Sequence, residues 1–360
     1  MSDLIRQYKH HVRRRLAFIA LIFAGIMLVG MYAVGSGAAG LTLREVLLAI
    51  TGSGDPVNEQ IVRHIRLPRV IAALLAGLAL AVSGAVMQSL LRNPLASPFT
   101  LGISGAAAFG AAFGIVVFGS GAGTADDGNS GFQLISVIGD RYIIMISAFV
   151  WSMASTGFIL AIARFRGVTP EVMILAGIAI GSLFSAGLSA MQYLATDVEL
   201  AAIVFWMFGD LGRAAWGEAG ILALLLIPIL IFFMMMSWNY KSLQSGDEYA
   251  RSLGVNPDSV RLSGMLAASL ATAVVVSFYG IIAFVGLVVP HIVRRIIGGD
   301  EAFLIPASAL FGAMFLLLSD TVARTLFSPV ILPVGILTSF IGAPLFLYLL
   351  LRGMGRGYWT

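Results

Sequence analysis

The stretch RLPRVIAALLAGLALAVSGAVMQSLLRNPLASPFTLGISGAA, Arg66 to Ala107, sets two membrane crossings back to back. No charged side chain occurs from Val70 to Leu91, and about 20 apolar residues at about 1.5 Å rise each cover a hydrocarbon core of about 30 Å. Ala73, Gly77, Ala81, Ala85 and Ser89 recur at every fourth position, which keeps small side chains near one helix face and lets a neighbouring backbone come close. This span is therefore expected inside a helical bundle. Arg92-Asn93-Pro94 closes it, because Pro disfavours helical geometry in the residue before it and Asn tolerates turns.

Composition points the same way. Hydrophobic residues make up 59% of the 360 and charged residues 11%, against about 25% charged in a soluble domain. The expected fold class is an all-α polytopic membrane protein in contact with lipid. Cysteine is absent, which removes disulfides, thiolate metal sites and Cys nucleophiles. The net charge of +4 is spread over short loops, where membrane insertion itself favours basic residues, so nucleic acid is not an expected partner. The run from Leu16 to Val34 follows Arg13-Arg14-Arg15 and is longer than the signal-peptide core of about 7–15 residues. It reads as a retained first span behind a cytoplasmic tail, 1–15, with residues 16–360 forming one membrane domain.

Ten candidate spans follow from the apolar runs: 16–35, 68–91, 98–118, 142–164, 172–194, 219–238, 261–280, 283–297, 302–323 and 333–351. An even number returns the C-terminus to the side of the N-terminus. With both inside, only seven of the 22 lysines and arginines fall outside, at Arg44, Arg63, Arg66, Arg69, Arg141, Arg213 and Arg324, which the positive-inside rule favours. The eighth span contains Pro290 and His291 and ends in Arg294-Arg295, so it reads as a partial helix whose freed backbone groups need protein cover. Gly119 to Gly131 reads as an exposed outer loop. Residues 66–194 and 261–351 each hold four spans that start on opposite sides, which allows an inverted repeat.

The chain has two lysines, Lys9 and Lys241, and neither sits in a GxxxxGK[ST] loop that could cradle ATP phosphates. His10, His11, His64 and His291 show no zinc spacing. Asp320 is the one carboxylate well inside an apolar run, and Arg324, four residues on, is its expected partner. No catalytic residue, metal site or cofactor is expected on the chain. These absences point to a pore driven from outside, and Tyr240–Arg261 is where the drive would enter. Asp247 and Glu248 open a short helix that Gly254 ends, and Pro257-Asp258 opens a second. An ordinary solvated loop is the alternative.

The block Arg66–Ala107, the loop GDEYARSLGV, the run GIIAFVGLVVPHIVRR and the tail LPVGILTSFIGAPLFLYLL resemble the FecCD family. These are the permeases of type II ATP-binding-cassette importers for iron-siderophore, haem and vitamin B12. The resemblance implies ten spans per subunit, a dimeric pore and two cytoplasmic ATPases that hold the ATP and Mg. It also implies a periplasmic or lipid-anchored binding protein and residence in the cell inner membrane.

Residue by residue, the resemblance implies that Arg66, Arg69 and Arg324 dock acidic side chains of the binding protein. The guanidinium fork suits that task, whereas interfacial anchoring of Arg66 and Arg69 and a local pair of Arg324 with Asp320 are the alternatives. Asn93 and Leu95 match the cytoplasmic gate, where an apolar constriction resists water; a plain Pro turn is the alternative. Gly177, Gly181, Ser185 and Ser189 match a pathway-lining helix, although their fourfold spacing by itself argues for tight packing. Gly246, Ala250, Leu253 and Gly254 match the segment that docks into the ATPase, with Ser245 where the family more often has Leu. Iron-siderophore is the first expectation for cargo, with haem or vitamin B12 as alternatives. The second pore subunit is a copy of the chain or a paralogue. An ion-coupled secondary transporter, with Asp320 as its essential carboxylate, is the rival class.

Overall fold

The computed structural model describes residues 2–37, 40–119 and 140–353, so most of the expected outer loop at 119–131 and the last seven residues lie outside the described residues. Every regular element among the described residues is helical. In chain order these are α1 (Ser2–Gly35), α2 (Leu43–Thr51), α3 (Pro56–Gln60), α4 (Leu67–Leu90), α5 (Ile103–Phe118), α6 (Asp140–Arg166), α7 (Pro170–Leu194) and α8 (Asp197–Met207). They continue as α9 (Trp216–Met235), α10 (Ser237–Gln244), α11 (Asp247–Ser252), α12 (Pro257–Tyr279), α13 (Val285–Ile297), α14 (Glu301–Thr325) and α15 (Val334–Gly353).

Each of the ten expected spans finds a helix, but not all are of one kind. Seven are long and apolar enough to cross a bilayer: α1, the continuous run Pro56–Leu90 that ends in α4, α6, α7, α9, α12 and α14. Helices α5 and α15 are shorter apolar crossings. Helix α13 has 13 residues, roughly 20 Å at about 1.5 Å per residue, and covers only part of the membrane.

Helix α4 is the axis of the bundle, and its small residues explain why. Gly77 faces the Gly312 carbonyl of α14 so closely that a Cβ would lie 2.3 Å from that oxygen. Gly84 faces Gly286 of α13, where a Cβ would lie 1.7 Å from the carbonyl oxygen. Only glycine permits these backbone approaches, and they convert the spacing seen in the sequence into two tight helix crossings.

Several boundaries differ from the expectation. Residues before the first span are helical, since α1 starts at Ser2 and runs unbroken into that span; Arg15 ties it to the end of α13 through the Ile297 carbonyl at 3.0 Å and Asp300 at 3.0 Å. The third span begins at Ile103, not 98, because Ser97 and Thr100 bond one another and Gly102 adopts φ +80° before the helix opens. The partial eighth span is short for a different reason from the expected one. Pro290 sits within an intact helix, and the break precedes it at residues 280–284, where Gly280 and Phe284 have φ of +75° and +67°. Pro257 does not open a second short helix. Capped by the Asn256 side chain, it begins the 23-residue span α12, and the two short helices of this region are α10 and α11.

Candidate functional site

Two charged centres sit at opposite ends of the bundle. One gathers the three arginines singled out above. A π-helical turn, Ile61–Arg66, joins α3 to α4 and delivers Arg66 and Arg69 to the same side. Arg66 Nη1 donates to the carbonyls of Val34 at 2.7 Å and Gly35 at 2.8 Å. Arg324 Nη2 donates to Ala33 O at 3.1 Å and Nη1 to Ser36 O at 3.4 Å. Both arginines thus satisfy the carbonyls left open at the C-terminus of α1, where a cation is favoured.

Asp320 of α14 is wholly buried, with 0% exposure, and holds the rest of the cluster. Arg69 Nη2 donates to its Oδ1 at 2.8 Å and Nε lies 3.0 Å from Oδ2. Arg324 Nε approaches Oδ2 at 3.2 Å, and Asp210 stands 3.6 Å from Arg69. The expected Arg324–Asp320 pair is present, yet the bidentate partner is Arg69, 251 positions away, which no local spacing could reveal. Arg66, Arg69 and Arg324 line one recess of about 270 Å³ with Ile61, Ile65 and Ile331. Three permanent cations face two carboxylates there, so the recess retains positive character and attracts acidic groups.

At the other end, the turn after α4 is held by its own polar groups. Asn93 Oδ1 accepts the Leu95 amide at 2.9 Å, the Asn93 carbonyl accepts from Ala96 at 3.0 Å, and the Leu95 side chain is left 43% exposed. The sequence-predicted gate residues are therefore adjacent and differently employed, Asn93 shaping the turn and Leu95 presenting apolar surface. On α7 the predicted stripe divides. Gly177 and Gly181 pack against Leu101 and Gly102, whereas Ser185 and Ser189 are exposed and donate to carbonyls one turn back at 2.9 and 3.1 Å. The packing alternative thus accounts for the glycines, and the serines alone offer polar surface.

Helices α10 and α11 meet at Gly246, with φ +119°, and α11 ends before Gly254, with φ +80°. A Cβ at either glycine would meet nothing within 4 Å, so both occupy open surface. Ala250 is fully buried, while Tyr249 and Leu253 are exposed, the latter at 49%. An outward face of Tyr249, Leu253 and bare backbone results.

Side-chain pairs that no local spacing reveals fix these two helices to the bundle. Arg261 Nη1 and Nη2 each lie 2.7 Å from Asp247, and Arg92 binds the same carboxylate. The fork of Arg261 hydrogen-bonded to Asp247 holds that carboxyl below the usual range; burial opposes the effect and the charge of Arg92 adds to it. Near the other helix, Lys241 of α10 pairs with Asp300 at 3.2 Å. Gln244 donates to Glu301, which also accepts from Ser89 of α4 at 2.7 Å. Asp247 stood out in the sequence only as a helix-opening acid, and its partners lie 155 and 14 positions away.

Among known proteins, the profile of the FecCD transport family matches residues 22–352. A protein of Methanocaldococcus jannaschii, described as a candidate ABC transporter permease, is 51% identical over 97% of this chain and 98% of its own length. The hemin transport system permease protein of Yersinia pestis is 37% identical over 94% of this chain and 96% of its own. A solved structure of a candidate metal-chelate type ABC transporter in an inward-facing conformation superposes with a TM-score of 0.79 at 29% identity, covering 93% of this chain and 98% of that one.

Proposed function

The chain belongs to the FecCD transport family, the permease subunits of ABC importers, and from that premise we propose that its cargo is a metal chelate, an iron-siderophore first and haem or vitamin B12 next. The hemin permease and the metal-chelate transporter among its relatives support that cargo class. The drive comes from two ATPase subunits at the α10–α11 surface, which carry ATP and Mg. No phosphate-cradling loop exists in this chain, and hydrolysis is the partners' task.

The observation that carries the reading is the surface made by Gly246, Tyr249, Leu253 and Gly254, a protruding and partly apolar face on two short helices outside the spans. Exposed Glu248 and Arg251 flank the apolar Tyr249 and Leu253 on it, the charged rim around an apolar centre that protein interfaces show. Both termini and this surface are cytoplasmic, and the recess of Arg66, Arg69 and Arg324 faces outward, where carboxylates of a binding protein dock against its residual positive charge. A second permease subunit, most simply another copy, covers the exposed side of α7 and completes a pathway past Ser185 and Ser189. Its inner narrowing is at Asn93 and Leu95. Closure of the ATPases shifts the bundle between outward-open and inward-open arrangements.

Reconstitution of the chain with its ATPases and binding protein in proteoliposomes tests this. ATP-dependent accumulation of a ferric siderophore or haem is expected, with none when the ATPase is omitted. Accumulation by the chain alone on an ion gradient would establish the secondary-transport reading instead.

A further inference from the structure

Asp247 joins three parts of the chain: the surface helix α11, the turn after α4 and the start of α12. As first residue of α11 it belongs to the ATPase-facing surface. Its carboxylate takes the fork of Arg261, a residue only 1% exposed that also reaches the carbonyls of Leu90 at 3.3 Å and Val168 at 3.2 Å. Arg261 is thus fixed to the inner ends of α4, α12 and the α6–α7 connection. The same carboxylate takes Arg92, whose Nε also donates to Leu243 O at 2.8 Å in the last turn of α10. Arg92 therefore grips both sides of the Gly246 joint.

Arg92 is also one residue before Asn93 and has φ +45°, the left-handed position of a helix cap in which the Arg92 amide donates to Ser89 O at 3.4 Å and the Asn93 amide to Gln88 O at 3.2 Å. The backbone of Arg92 is thus tied to the end of α4 and to the turn, while its guanidinium holds α10 and α11.

We propose that Asp247 is a positioning residue that transmits displacement of α11 to the Asn93–Leu95 turn through Arg92, with Arg261 as the fixed pivot. The proposal rests on the permease reading above. Charge-assisted bonds to a shared carboxylate are short and directional, so a shift of the α11 N-terminus pulls on Arg92 and on the turn next to it. The link differs from a static staple because one of its arginines is anchored in the bundle and the other stands at the head of the turn that carries Asn93 and Leu95.

The test uses the complete importer in proteoliposomes, reading ATP hydrolysis and cargo accumulation together, with spin labels at position 95 of both pore subunits. Asp247→Asn and Arg92→Gln are each expected to lower cargo moved per ATP by at least about fivefold, the lower end of typical coupling effects. The double variant should be no worse than the worse single one, as for two residues acting through one contact. Asp247→Glu should restore part of the ratio. ATP-driven change in the label distance should shrink in both single variants.

Transport and hydrolysis falling by the same factor, multiplying effects in the double variant, or an unchanged label movement would each overturn the link. Arg92→Gln leaves the buried Arg261–Asp247 pair in place and keeps the test open if Asp247→Asn fails to fold. The unmutated complex is measured first, and lack of ATP-dependent uptake there would overturn the permease reading itself rather than this link.

Discussion

The Asp320 and Asp247 centres share one device and differ in construction. Each has one aspartate shared by two arginines. Asp320 is wholly buried, and its arginines join α4 and α14, with Arg324 also closing the end of α1. Asp247 is one-third exposed, and its arginines join a short surface helix to a turn and to one span. A buried shared charge cannot release a partner without stranding another charge in a low dielectric, whereas a partly hydrated one can exchange partners with water at small cost. The Asp320 centre is therefore built to stay assembled and the Asp247 centre to yield.

The largest predicted effect tests the first half of that contrast. Asp320→Ala leaves Arg69 and Arg324 facing each other without their carboxylate, and breaking a buried network of this type costs about 3–5 kcal/mol. Thermal unfolding in detergent should show a strongly lowered midpoint or no folded protein; an unchanged midpoint would mean the cluster is not structural. For the same reason Arg69→Glu, set against Asp320, is expected to lower stability as well as docking, so reduced uptake in that variant would not by itself report docking. Arg66→Gln, which loses carbonyl caps but sets no acid against Asp320, is the cleaner probe of binding-protein affinity.

Gly254→Val comes next. Its φ of +80° costs a branched residue about 1–2 kcal/mol locally, yet no neighbour stands in the way of the side chain. Membrane yield should hold while ATP-dependent uptake falls, and normal uptake would remove Gly254 from the ATPase surface. Also smaller than the Asp320→Ala effect is that of Asp247→Asn on stability itself, because the carboxylate is one-third exposed and the asparagine oxygen still accepts from Arg261, although that buried guanidinium loses its counter-charge. A loss as large as that of Asp320→Ala would erase the distinction between the two centres.

The smallest effect is with pH. The Asp247 carboxyl is held below its usual value, first by its hydrogen bond to Arg261 and, against the opposing effect of burial, by the charges of Arg261 and Arg92. A carboxyl depressed by folding contributes fully above its unfolded value of about 3.9 and loses that contribution only as pH falls through the lower folded value. Cargo per ATP should therefore stay level from about pH 8 to pH 5, and a step within that window would point to another titrating group.

Much of the fold was legible because membrane insertion and helix packing act on local pattern. The fourfold small residues of α4, the turn at Pro94 and the helix-ending Gly254 each act through neighbours within a turn or two. Where the structure departs from the local pattern, a competing signal prevails. Pro290 reads as a helix breaker, but Pro within a buried helix is tolerated, and the unwinding falls at Gly280–Phe284 instead. Pro257-Asp258 did mark a helix start, but nothing local told a short helix from a full span.

The grouping of Arg66, Arg69 and Arg324 came from family resemblance, and the structure adds how the three are held together. The roles of Arg69 toward Asp320 and of Arg92 and Arg261 toward Asp247 were not legible. An ion pair carries no periodicity, and either arginine could have met any carboxylate the fold brought near.

Sequence alone thus determined that the chain crosses a membrane repeatedly as helices and where α4 admits close neighbours, since hydropathy and glycine spacing are properties of consecutive residues. Which carboxylate each arginine meets, how deeply each pair is buried, and hence which centre holds firm and which gives way, only the tertiary structure decided. Those outcomes depend on distances between segments far apart in the chain and on the local dielectric that packing creates.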